Sequence, residues 1–142
     1  MNKKEYEKFA KRKYPSSPIV KNCILAFLIG GMICMIGEVI GSFYQALGFT
    51  EKNAGTLTSV TLIFLSVLLT GLGIYSKIAH YAGAGTIVPI TGFANAVASP
   101  AIEAKTEGLV LGVAAKIFTI AGPVIVYGTV ASVIAGVLYY FF

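Results

Sequence analysis

Apolar positions in this chain come in long runs rather than in alternation. From Ile19 to about Leu47 almost every side chain is apolar, and the run exceeds the ~20 residues a spanning helix needs. Ser17 suits an N-cap and Pro18 a first helical position at its start. A short polar loop, Gly48–Gly55, carries Glu51 and Lys52. Thr56 to about Tyr75 predicts the second spanning helix, with Thr and Ser hydroxyls able to bond back to carbonyls one turn earlier. Ser76 to Tyr81 is a basic, aromatic exit of the kind found at a membrane interface. Its His80 reads as an interfacial or capping residue, since one His without Cys or Asp nearby makes no metal site.

The pattern then breaks. Gly83 to Glu107 is apolar enough for a bilayer, yet Gly83, Gly85, Pro89, Gly92, Asn95 and Pro100 interrupt it, and Glu103, Lys105 and Glu107 crowd its end. Proline removes a backbone donor and clashes with the preceding turn. In lipid the freed groups find no water, so such backbone survives only packed in protein or lining a wet cavity. Broken segments are also where transporters place binding sites. Two readings stand: a kinked helix whose glycines allow close packing, or the lining or gate of a pathway. The second assigns Gly83, Gly85, Thr86, Pro89, Thr91, Gly92 and Asn95 to the path. Thr86, Thr91 and Asn95 would supply polar groups, and Gly85 and Gly92 close backbone approach.

Gly108 to Phe142 carries one charge, Lys116. As one helix it would measure ~52 Å, so Gly122-Pro123 is expected to divide it. Pro123 to Phe142 is then a span with an aromatic end. Gly128, Ser132 and Gly136 mark a close-packing face. Leu109 to Ala121 is either a half-helix paired with the broken stretch or the outer part of one long helix.

Charge adds two features. Glu38 lies in the first apolar run, inside the GxxxG of Gly37 and Gly41. There it is either functional, as intramembrane ionisable groups are by default, or held by water near the outer interface. Pairing with Lys116, within or between subunits, would lower the burial cost of both. The net charge of +5 comes from the N-terminus. Lys3, Lys4, Lys8, Lys11, Arg12, Lys13 and Lys21 face only Glu5 and Glu7 there, and the four Lys and four Glu beyond cancel. The basic excess therefore marks one end, not a nucleic-acid surface, and sets that end in the cytoplasm. Residues 2–14 predict a short amphipathic helix with Tyr6, Phe9 and Tyr14 on one face and Arg12 among its cations. It would lie on an anionic leaflet, dock a partner, or act only as a topology signal.

The chain is 56% hydrophobic with no aspartate and no Trp, and its mean hydropathy is +0.81. These values predict an all-α polytopic membrane protein of about four membrane segments. Residues 1–18 form a basic cytoplasmic leader and 19–142 a single helical membrane domain. Cys23 and Cys34 lie ~16 Å apart along one helix, too far to bridge. No nucleophile–base spacing, phosphate loop, cofactor motif or metal-ligand cluster is present, so a non-enzymatic role is expected.

The run Gly83-Ala84-Gly85-Thr86-Ile87-Val88-Pro89-Ile90-Thr91-Gly92-Phe93-Ala94-Asn95-Ala96 resembles the hallmark of the SpoVAC/SpoVAEB family, and Gly108-Leu109 with Lys116 to Pro123 is similar too. The resemblance covers nearly the whole chain, and the basic leader points to the AC branch. It implies a membrane component of the SpoVA system in the forespore or spore inner membrane. That system moves dipicolinic acid, with calcium, into the developing spore and out at germination. It further implies an AEB-type membrane sibling and a soluble AD-type subunit as partners, and a channel or transport role. A non-conducting scaffold that recruits a cytosolic partner through the leader is the competing function.

Overall fold

The computed structural model describes residue 6 and residues 18–141. Among these, all regular structure is helical: α1 (Ile19–Ala46), α2 (Glu51–Gly71), α3 (Ile74–Ala82), α4 (Pro89–Glu103) and α5 (Ala115–Phe141). Two 3-10 turns, Gly83–Thr86 and Ala104–Glu107, flank α4, and a π-helical turn, Leu109–Ala114, leads into α5. Three helical stretches are long and apolar enough to cross a membrane: Ile19–Ala46, Glu51–Gly71 and Leu109–Phe141. The leader helix expected over 2–14 lies outside the described residues except for Tyr6, which is helical and exposed. Phe9, Arg12 and Tyr14 lie outside them entirely, as does Ser17. Pro18 takes the N-cap position of α1, one place before the helical start expected for it.

α1 and α2 are antiparallel neighbours. The GxxxG face provides the contact: Gly37 sits over Leu62, and Gly41 over the Thr58 hydroxyl. A further turn along, the Tyr44 hydroxyl meets Thr61 at 2.8 Å. Thr61 donates its own proton to the Leu57 carbonyl, so Tyr44 is the donor of the pair. The polar loop is shorter than its composition suggests. α2 begins at Glu51, with Thr50 as its N-cap and Glu51 in the first turn, where a carboxylate favours the helix dipole.

Gly73, at φ 69°, turns the chain out of α2 into α3. α4 then runs parallel to α2, as two contacts in step establish. Ser66 reaches the Thr91 backbone, and Thr70 reaches Asn95, four residues further along both helices. Since α2 and α4 descend together, residues 72–88 must carry the chain back inward between them. The 3-10 turn at the inner end of this excursion lies against Ala26 and Gly30 of α1, ~10–16 Å along that helix from its start. Thus α3, the turn and α4 form a re-entrant element that enters and leaves on the N-terminal side.

Two sequence expectations are corrected. Gly122-Pro123 does not divide the last segment, because α5 runs through Pro123 to Phe141 without a break. Proline costs one backbone hydrogen bond there, and an otherwise intact apolar helix absorbs the loss. Leu109–Ala121 is accordingly the first part of one long helix. The half-helix that accompanies the broken stretch is α3.

Candidate functional site

Pro89 begins α4 rather than kinking a longer helix. Its fixed φ suits the first helical position, where the missing N–H costs nothing. The break deprives carbonyls upstream of it of their usual helical partners, and the Thr86 and Val88 carbonyls are taken by other donors. The Gly85 carbonyl lies against Gly30 of α1. The Thr86 carbonyl accepts the Tyr75 hydroxyl of α3 at 3.0 Å, while the Thr86 hydroxyl donates to the Gly83 carbonyl at 3.1 Å. The Val88 carbonyl is taken by the Gly92 amide at 2.8 Å.

A polar seam between α2 and α4 continues from this turn. Ser66, only 2% exposed, donates to the Thr91 carbonyl at 2.6 Å. Thr70 donates to the Ser66 carbonyl at 2.7 Å and stands 2.8 Å from the Asn95 side chain. One hydroxyl carries one proton. With the Asn95 amide turned to present its NH2, Thr70 accepts there and both contacts are satisfied. The exception is Thr91. Its side chain is buried, 7% exposed, and its hydroxyl has no partner among the described residues. A buried unsatisfied hydroxyl costs ~1–3 kcal/mol.

The structure therefore brings Thr86, Thr91 and Asn95 into one element and adds Ser66, Thr70 and Tyr75, which sequence reasoning did not single out. The sequence pattern suggests only back-bonding for Ser66 and Thr70. Thr70 does back-bond, but Ser66 crosses to another helix. Their four-residue spacing was the available signal.

Gly85 and Gly92 sit tightly against backbone. A Cβ on Gly85 would stand 2.5 Å from the Ala26 carbonyl oxygen, and one on Gly92 would stand 2.6 Å from that of Thr86. Both obstacles are backbone, which cannot swing aside. Gly83 takes φ 51° with nothing near its Cβ position and provides the turn.

Glu38 and Lys116 are not brought together. Both are exposed, and their helices occupy opposite flanks: α1 contacts α2 and the turn, α5 contacts α4. Both helices rise from the N-terminal side, Glu38 ~28 Å along one and Lys116 ~10 Å along the other. Lys116 is close enough to the N-terminal side for its long stem to reach the interface. At Gly128 and Gly136, expected to form a close-packing face, an added Cβ would meet nothing within 4 Å among the described residues.

A cavity of about 740 Å3 lies between α2, α4 and α5 and is walled by apolar side chains such as Ile63, Phe93, Val97 and Ile117. A smaller one of about 350 Å3, bordered by Asn22, Cys23 and His80, opens at the N-terminal side.

Residues 22–138 match the family model described as SpoVAC/SpoVAEB sporulation membrane protein. Over 141 residues the chain is 52% identical to Stage V sporulation protein AC of Bacillus subtilis (strain 168), covering 99% of this chain and 94% of that protein. No solved structure matches it.

Proposed function

This chain belongs to the SpoVAC/SpoVAEB sporulation membrane protein family, and we propose that it is a channel or transport subunit moving dipicolinic acid, with calcium, across the spore inner membrane. One observation carries the reading. A re-entrant element places a helix break, a polar seam and an unpartnered buried hydroxyl within the membrane domain. Apolar packing would have been cheaper there, since polar groups are costly in a bilayer. Hydroxyl and amide groups can replace part of the water around a carboxylate, which is what a path for a dianion requires.

In the conformation described, the seam is closed by its own hydrogen bonds, and the large cavity is too apolar for a dianion. The path is therefore completed by neighbours, either further copies or an AEB-type sibling, and opened by moving α4 away from α2. We assign the N-terminus to the cytoplasm and the leader, residues 1–18, to the membrane surface or to a soluble AD-type partner. Residues 19–142 form the single membrane domain. Reconstitution tests the reading. Vesicles containing this chain and its sibling should release entrapped dipicolinate faster than protein-free vesicles. Release at the protein-free rate, with the complex shown to be assembled, assigns the chain to the scaffold role instead.

A further inference from the structure

We propose that the groove between α2, α4 and α5 is a binding site for one anionic phospholipid, with an acyl chain along α4 and the phosphate on Lys105. This does not rest on the transport reading. The groove exists because α4 is a half-span helix. α5 leans mainly on α4, so above and beside α4 the two long helices stand apart. The volume of about 740 Å3 falls within the ~300–1,000 Å3 of ligand sites.

Shape and chemistry choose the occupant. The groove follows the length of α4, whose 15 residues rise ~22 Å. One leaflet of a bilayer core is ~15 Å deep, so an acyl chain from the N-terminal side fits with its head at the end of α4. The walls are apolar except for Ser59 at the inner end and Lys105 at the other. A neutral alkyl chain is compatible with those walls, and a dianion or a polar helix is not. Lys105 is the one charged residue in the lining, and it stands on the side that also carries Lys21 and Lys77. Glu103 and Glu107 are exposed and outside the lining. A lysine at a membrane surface favours an anionic headgroup.

Native mass spectrometry of the full chain in detergent tests the site, with phosphatidylglycerol and phosphatidylcholine of equal chain length titrated separately. Phosphatidylglycerol should bind at one per chain and more tightly than phosphatidylcholine. Lys105→Gln, at an exposed position, should weaken phosphatidylglycerol by about fivefold and remove most of the preference. Val97→Trp, or Ile117→Trp from the facing helix should the first fail to fold, should weaken both lipids. Equal affinity for the two lipids in the unaltered chain would overturn the proposal. So would unchanged binding in Lys105→Gln or in the folded Trp variant. Cross-linking of Val97→Cys to a second copy in native membranes would assign the groove to a protein neighbour and overturn it as well.

Discussion

The Ser66 hydroxyl of α2 donates to the Thr91 backbone carbonyl of α4 at 2.6 Å, joining a spanning helix to a re-entrant one. Interhelical hydrogen bonds in membranes are modest, ~0.6 kcal/mol on average and ~1.7 at most. Ser66→Ala should therefore lower the stability of detergent-solubilised protein by about 0.6–2 kcal/mol, read as a lower thermal midpoint. An unchanged midpoint would show that the bond does not hold α4 in place.

Thr91→Val should do the opposite. The hydroxyl has no partner among the described residues, and valine keeps its shape without the desolvation cost. A rise of about 1 kcal/mol is expected, against a loss for Thr70→Val, which breaks two contacts. A drop in stability for Thr91→Val would mean that the hydroxyl is satisfied after all.

Gly85→Ala and Gly92→Ala each drive a methyl group into backbone. Overpacking of this kind costs ~1–3 kcal/mol, so both should reduce the yield of folded protein. Gly128→Ala, with open space around it, should leave yield unchanged. Normal folding of Gly92→Ala with altered flux would return that glycine to the pathway.

Much of this was legible in the sequence, for identifiable reasons. α1 could be bounded closely because its apolar run is uninterrupted, and Pro89 announced the break because proline acts on local backbone. The polarity of Glu51 and Lys52 predicts a loop, whereas α2 begins at Glu51, whose carboxylate in the first turn favours the helix dipole. Pro123 misled in the other direction, since one lost hydrogen bond does not end a long apolar helix. The parallel descent of α4 beside α2 is a tertiary fact. Ser66 chooses between its own helix and Thr91 only once the turn rests on Ala26 and Gly30, and no local pattern encodes that choice.

The re-entrant arrangement makes a topological prediction. In a chain with Cys23 and Cys34 replaced, cysteine at Ser76 and at Thr106 should react from the same side as the N-terminus, and cysteine at Thr50 from the other. Tyr140→Cys should react on the Thr50 side, because α5 crosses. Labelling of Thr106→Cys from the Thr50 side would make α4 part of a full span and remove the re-entrant element.

The central claim is that the α2–α4 seam opens to solute, and the accessibility of Thr91→Cys and Asn95→Cys tests it most directly. In assembled complexes in vesicles, both should be inert to a water-soluble thiol reagent at rest, since the seam is closed. Once dipicolinate release is triggered, both should react, and modification should slow release. Cysteines that stay inert at both positions while dipicolinate is flowing would contradict the account.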